Sequence, residues 1–364
     1  MYEAGQSVGG VTMTMQEKFR TIHYGIGAVG SEVLKVALQR QDIQVVGAID
    51  THPSKAGREL GDVLGLGRHL GVDVSYDAEA LLRETSADVV VQATTSHLIT
   101  VYPQLVQAVA SEKNVISSCE ELSYPWTAQG ELARKLDRRA REAGVTVLGA
   151  GVNPGFVMDI LPLVLTSPCQ EVRSIAVTRV VDTSTRRLQL QIKMGTGLSP
   201  TEFRFRVSDG SIGHVGLRES LFMIAETMGW QLDEVKESME PILATRRWET
   251  GAFIVERGRV AGVRQTAVAM AGNREAIRLD LQMSLGAEHP RDSIVIDGTP
   301  PINLTIAGGI QGDQATAAIM VNLIPAVVKA RPGLLTMRDL PFIPWWSARG
   351  WWKEVPDDQH LRVL

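Results

Sequence analysis

"TIHYGIGAVGSEVLKVALQRQDIQVVGAID", residues 21–50, decides the fold. It begins as a strand that breaks at glycines and ends in the continuous apolar run "IQVVGAI", the texture of a strand buried on both faces. Between them Val33, Leu34, Ala37 and Leu38 recur at helical spacing. Strand, glycine turn, helix and strand in this order form a parallel β-α-β unit. The turn itself, "GIGAVG", sets Gly25, Gly27 and Gly30 in G-x-G-x-x-G spacing. Gly25 permits the tight turn, Gly27 lets a pyrophosphate approach the backbone, and Gly30 lets helix and strand pack closely. Ala28 and Val29 open the helix, where free N–H groups bind phosphate. Asp50 ends the second strand 20 residues after Gly30, the place of the acid that holds a ribose. A plain glycine turn without ligand is the structural alternative.

Asp50 favours NAD, since a carboxylate accepts the ribose hydroxyls and repels a 2′-phosphate. The following "THPSKAGR" keeps NADP open, because Lys55 or Arg58 lies within reach of that phosphate. Strands and helices go on alternating: "GVDVSY", "DAEALLRET", "ADVVVQAT", "TVYPQLVQAVASE", "NVISS", "QGELARKLDRRAREAG", "VTVLGAG". The chain is therefore α/β, with a Rossmann-type doubly wound parallel sheet over residues 19–152. Residues 1–18 read as a flexible leader. After "NPGF" (153–156) a helix is expected from Gly155 to about Leu165, followed by residues rich in alternation. These are "EVRSIAVTRVVDT", "RRLQLQIKM", "RGRVAGVRQTAVAMAG", "EAIRLDLQMSLG" and "DSIVIDG". They predict a second, α+β domain over 153–310 on a mostly antiparallel sheet, with a helix in "LRESLFMIAETMGW". A long apolar helix at 313–330 is of the kind that packs back on the first domain. Residues 331–364 form a tail with Trp345, Trp346, Trp351 and Trp352, expected to pack on the cofactor domain or a subunit boundary.

Of the 364 residues, 44% are hydrophobic and 21% charged, and the formal charge of −4 disfavours nucleic acid. Two distant cysteines fit a reducing cytoplasm, without a disulfide framework or a metal site. No apolar run suggests a membrane span.

Candidate chemistry lies at the carboxyl ends of the strands. Thr94, Thr95 and Ser96 in "QATTSHL" suit contact with the ribose and nicotinamide, or cap the next helix. His97 is a structural residue or an acid/base. "NVISSCEELSYPW" (114–126) delivers Cys119, Glu120 and Glu121 to the cleft. Ser118-x-x-Glu121 fits a capping box, which leaves Glu120 the freer acid; both acids favouring a helix start is the bland alternative. Asn153 and Pro154 follow the last strand, where the turn is expected to meet the nicotinamide carboxamide and Asn153 to reach substrate, or where an ordinary helix starts. Phe156, Met158, Met194, Thr196 and Phe203 are pocket walls or plain core, and His214 approaches substrate or is buried.

Together with "QATTSHL" and "SSCEELSYPW", the segments "GAGVNPGFVMD" and "GDQATAAIMVN" make the chain resemble the 2,4-diaminopentanoate dehydrogenases and the related native amine dehydrogenases. These belong to a dihydrodipicolinate reductase-like superfamily. The resemblance covers about residues 20–340 and implies an NAD(P)-dependent oxidoreductase interconverting a small primary amine with its ketone or aldehyde and ammonia. It further implies a catalytic glutamate and a homodimer formed through the second sheet. True dihydrodipicolinate reductases carry a His-His pair and a Lys-x-Asp-x-Pro-Ser-Gly-Thr stretch that clamps two carboxylates. Here "IKMGTGLSPTEF" (192–203) lacks both the histidines and the Pro-Ser. Reduction of a cyclic imine, or cofactor binding without turnover, are the alternative functions.

Overall fold

A computed structural model gives the fold and describes residues 18–341 apart from Ala252. Nearly all of the leader, and all four tail tryptophans, lie outside the described residues. The strands in chain order are β1 Phe19–Tyr24, β2 Ile43–Ile49, β3 Val74–Ser75, β4 Val89–Gln92, β5 Asn114–Ser117 and β6 Thr146–Gly149. The second half adds β7 Glu171–Asp182, β8 Glu234–Leu243, β9 Trp248–Glu249, β10 Ile254–Val255, β11 Val260–Ala271 and β12 Arg274–Ser284. β13 Arg291–Thr299, β14 Ile302–Ala307 and β15 Gly333–Leu335 complete them.

The first sheet is wholly parallel, in the order β15-β6-β5-β4-β1-β2-β3. From β1 the chain winds outward to β2 and β3, then returns to β4 on the other side. The crevice at that reversal is where ligands bind in such sheets. Tyr24, Gln92, Ser117 and Gly149 lie in register across four strands. Strand ends therefore reach one level, and the loops after them share one cleft. Alternate residues point to opposite faces. Val89, Val91, Ile116 and Leu148 pack under helices Ala28–Leu38 and Gly312–Asn322. Val90, Val115 and Val147 pack under helices Leu98–Ala110 and Gly130–Glu142.

The apolar segment expected as one helix at 313–330 is two, Gly312–Asn322 and Ile324–Lys329. Pro325 stands in the first turn of the second, where its missing N–H is tolerated. Both helices bury side chains against the first sheet, among them Met320, Val321, Ile324 and Val327. Residues Gly333–Leu335, set within the tail above, extend that sheet as its edge strand.

The second sheet runs β14-β13-β7-β12-β11-β8, antiparallel except where β7 meets β12. One face is covered by helix Leu217–Thr227 and its neighbours, around Ile175, Val177, Leu221, Ile277 and Leu279. Two expectations fail here. "RRLQLQIKM" is not a strand: Leu188–Lys193 is helical. Leu188 and Ile192, one turn apart, face solvent at 43% and 50% exposure, while Leu190 and Met194 are buried. The apparent period of two was the accident of glutamines between leucines. The helix expected from Gly155 starts only at Ile160. Gly155 holds φ +119, outside the helical region. Asp159 accepts from the Gly155 and Ile160 N–H groups at 2.7 and 2.6 Å, fixing the start. Helix Pro200–Ser208, capped by a Ser199–Glu202 capping box, was not foreseen.

Among the described residues no helix is long and apolar enough to cross a membrane. His23, on β1 beside the Thr21 hydroxyl, is pushed down to about 3 by burial. The native ring stays neutral while the unfolded one takes a proton near its ordinary value of about 6.5, so acid favours unfolding. We expect stability to fall by about 1.4 kcal/mol per pH unit from this residue between roughly pH 6 and pH 4. Denaturant midpoints of wild type and His23→Gln across that range check it, the variant losing that part of the slope.

Candidate active site

The loops at the carboxyl ends of β1, β4, β5 and β6 face the second domain across a cleft of about 410 Å³. Gly25 takes φ +94, and a Cβ there would lie 2.5 Å from the Ala93 carbonyl oxygen. A Cβ on Gly30 would lie 1.9 Å from the Gly25 oxygen, so the helix can approach only with glycine. Gly27 differs: nothing stands within 4 Å of its missing Cβ, and with Ala28 and Val29 it borders the cleft. The open space lies at the start of an eleven-residue helix, as a pyrophosphate requires. Asp50 is anchored to this turn, accepting the Ile26 N–H at 2.8 Å and the His52 N–H at 2.9 Å. Burial raises its pKa, but these bonds and the Lys55 ammonium outweigh burial and hold it below the usual carboxylate value. This chain's residues thus fit a nicotinamide dinucleotide.

Thr94, Thr95, Ser96, Cys119, Asn153, Pro154 and His214 line the same cleft. Thr94 bonds Gln104 at 2.8 Å rather than capping the next helix. Cys119 is buried, its thiol pushed well up by desolvation and donating to the Ser96 carbonyl, so it packs rather than reacts. His214 is held by its backbone through Gln265 at 3.1 and 2.9 Å. Burial first, and then the Lys193 and Arg179 charges, lower it to about 3, so its ring is neutral.

The two glutamates part company. Glu121 accepts from the Leu98 N–H at 2.7 Å and meets His97 Nδ1 at 2.9 Å. It caps helix Leu98–Ala110 from the loop after the neighbouring strand, in place of the expected box with Ser118. His97 is thereby a surface bridge to Glu121. Glu120 points into the cleft, and its one ion-pair partner among the described residues is Lys193, Nζ to Oε1 3.5 Å. Lys193 also donates to Ser96 Oγ at 3.2 Å.

Several expected pocket walls are elsewhere. Met158, Met194 and Phe203 are at most 1% exposed in the core of the second domain. Thr196 is buried, and Phe156 borders a separate apolar hollow with Ile160, Leu163 and Leu323. Gly25, Gly30, Asp50 and Arg58 lie outside the cleft lining, Arg58 on the exposed loop after Asp50. The second domain instead contributes cations that the sequence reading missed: Arg179, Arg186, Arg187 and Lys193. Arg179 is buried against Asp292, and Asp313 is shared by Arg186 at 2.9 Å and Arg187 at 3.3 Å. Ser123 Oγ, Asn153 Oδ1, His214 Nδ1 and Arg186 Nε are buried in or beside this cleft without a hydrogen-bond partner. Buried polar atoms are ordinarily satisfied, so these four are available to a polar ligand; Tyr124 Oη, Thr183 Oγ1 and Thr196 Oγ1 are likewise unpaired but lie outside the cleft lining. The adjacent arginines in "STRRLQL" were the available signal, hidden by the strand reading. Among the described residues no group of three potential ligands gathers for a metal.

Fold and cleft together define a nicotinamide-dependent oxidoreductase. The segment 156–349 matches the 2,4-diaminopentanoate dehydrogenase C-terminal domain, and residues 21–118 match the dihydrodipicolinate reductase N-terminus. The 2,4-diaminopentanoate dehydrogenase of Acetoanaerobium sticklandii is 35% identical, over 89% of this chain and 94% of that one. An amine dehydrogenase of Streptomyces virginiae is 25% identical over 89% and 96%. In three dimensions the amine dehydrogenase of Mycobacterium smegmatis superposes with a TM-score of 0.82 at 27% identity, covering 90% and 97%. The chain belongs to the 2,4-diaminopentanoate dehydrogenase family, and is an NAD(P)-dependent enzyme acting on amines.

Proposed function

We propose that the enzyme oxidises a small primary amine bearing a carboxylate to the keto acid and ammonia, and runs the reverse amination, with Glu120 as its base. The observation carrying this is the division of the glutamate pair: Glu121 is spent on the helix end, while Glu120 faces the cleft. Bound NAD(P) supplies the hydride acceptor and donor. Glu120 takes a proton from the substrate ammonium, freeing the nitrogen lone pair that becomes the C=N bond as hydride leaves carbon. Glu120 releases that proton to solvent, draws another from the water that adds to the iminium and returns it to the nitrogen, and the carbinolamine collapses to carbonyl and ammonium. A carboxylate beside the iminium lowers the energy of that cation, more so as the closing site sheds water. Ser123 and Asn153 present unpaired polar atoms to the bound ligands. Arg186 and Arg187, two cations sharing the single carboxylate of Asp313, leave one net positive charge for the substrate carboxylate, a group the name of the Acetoanaerobium relative also contains.

We further read the protein as a cytoplasmic homodimer joined through the uncovered face of the second sheet, where β8 is largely exposed and Val295 is 45% exposed. Mass by light scattering, before and after Val295→Glu, checks the assembly. The function is tested by NAD(P)H oxidation with a panel of small keto acids and neutral ketones of equal length, each with and without ammonium. Turnover should require ammonium and favour the keto acid by on the order of tenfold or more in kcat/KM, about 1.4 kcal/mol of charge-assisted recognition. Equal rates without ammonium sink the amination; equal rates on both carbonyls sink the carboxylate.

A further inference from the structure

Glu120 and Lys193 meet across the junction of the two domains, Nζ to Oε1 3.5 Å, and Lys193 also donates to Ser96 Oγ at 3.2 Å. This pair differs from its neighbours in the cleft wall. Arg179 sets one buried guanidinium nitrogen 2.9 Å from each oxygen of Asp292, and Arg186 and Arg187 hold Asp313 at 2.9 and 3.3 Å. Lys193 and Glu120 instead keep 31% and 23% of their side-chain surface exposed, and their separation is beyond an ordinary hydrogen bond. A partly exposed pair at that distance holds weakly, so an incoming cation can replace one partner. We propose that the substrate ammonium displaces Lys193 from Glu120 and that the freed Lys193 ammonium takes the substrate carboxylate, so that Lys193 selects amines bearing an acid. This rests on Glu120 as the acid that meets the amine.

The charges of the cleft support the exchange. Among the described residues its walls carry four cations, Arg179, Arg186, Arg187 and Lys193, and two acids, Glu120 and Asp313. Asp292, behind Arg179, is a third carboxylate. Once an ammonium sits on Glu120, Arg179 still holds Asp292 and the other two arginines still share Asp313. Lys193 alone is left without an acid. A substrate that brings its own carboxylate supplies one, whereas a plain amine leaves Lys193 with the Ser96 hydroxyl only. That hydroxyl keeps the displaced ammonium beside Glu120. Arg187 stands at the start of helix Leu188–Lys193 and Lys193 at its end, so the surplus charge of the arginine pair lies on the same wall. His214, also in the lining, is neutral and opposes neither end.

Calorimetry on the full-length enzyme with NADH bound tests this without turnover, using amines that have no hydrogen on the carbon bearing nitrogen. The probes are tert-butylamine and a series in which one of its methyls is replaced by a carboxylate, a carboxymethyl or a carboxyethyl group. Wild type should bind the best acid of the series about tenfold tighter than tert-butylamine. In Lys193→Met, tert-butylamine should bind about threefold tighter, because its competitor is gone. The preference for the acid should shrink by about fivefold or more. Truncating a merely structural side chain gives no such gain. Lys193→Gln should repeat both changes, which covers a poorly folded Met variant, and Lys193→Arg should show neither. Unchanged or weaker binding of tert-butylamine in both neutral variants, or an undiminished preference for the acid, overturns the proposal. Glu120→Gln separates it from the reading beneath it. If that variant binds tert-butylamine as well as wild type does, Glu120 is not the seat of the amine and both fail. If it loses the amine while Lys193→Met changes nothing, only the role of Lys193 fails.

Discussion

Glu120→Gln should lower kcat for amine oxidation by on the order of a thousandfold, the usual contribution of a well-placed general base being about 10²–10⁴. Glutamine keeps the shape of the side chain but accepts no proton and no longer offsets the Lys193 ammonium 3.5 Å away. The rest of the site should survive. Glu120 touches neither the glycine turn nor Asp50, so the Kd for NAD(P)H should stay within about threefold and the Tm should not fall. Glu121→Ala gives the contrasting result. It removes the acceptor for the Leu98 N–H and the partner of His97. Loss of such a cap costs about 0.5–2 kcal/mol, and turnover should remain within roughly tenfold of wild type. Steady-state kinetics of both variants, with NADH titration and thermal melts, separates the roles. A thousandfold loss in Glu121→Ala with near-normal Glu120→Gln would exchange them.

The second large effect is on stability. Arg179 and Asp292 are 3% and 1% exposed, and Arg179 Nη1 reaches both carboxylate oxygens at 2.9 Å. The pair also closes a backbone link: Arg179 Nη2 donates to the Ile310 carbonyl at 2.6 Å, and the Ile310 N–H donates to Asp292 at 2.7 Å. β7, β13 and the segment leading into helix Gly312–Asn322 are thus tied at one point beside the cleft. Asp292→Ala leaves a buried guanidinium unpaired, which costs about 3–5 kcal/mol. Domains are stable by only about 5–15 kcal/mol, so the melting temperature should drop by on the order of 10 °C. The double variant Arg179→Met, Asp292→Leu should recover much of this, because apolar neighbours replace a buried ion pair at little cost. Urea titrations of the single and double variants check both statements; an additive double variant contradicts them.

What the sequence revealed, and what it hid, follows from the chemistry of each segment. The first sheet was legible because its strands are short, continuous apolar runs punctuated by glycines, and a parallel sheet buried on both faces leaves no other reading. The cofactor turn was legible because Gly25 and Gly30 have steric reasons that a sequence motif records. The acid at residues 120–121 was legible as a doublet, although the partner of Glu121 proved to be a helix end 23 residues away rather than Ser118. The opposite wall was not legible. Lys193 ends a six-residue helix whose residues mimic a strand, and spacing alone does not show which side faces a cleft formed with another domain. For the same reason spacing left Met158, Met194 and Phe203 open as pocket walls or plain core, and they are core. Gly333–Leu335 is too short to announce itself as a strand, and only the neighbouring β6 gives it one.

The most direct test of the central claim follows the nitrogen. The enzyme is supplied with NAD(P)H, a small keto acid and ¹⁵N-ammonium, and the product is weighed by mass spectrometry. An amine carrying one ¹⁵N for each NAD(P)H oxidised is the predicted result. A hydroxy acid as product, or oxidation of NAD(P)H with no label in any amine, would contradict it.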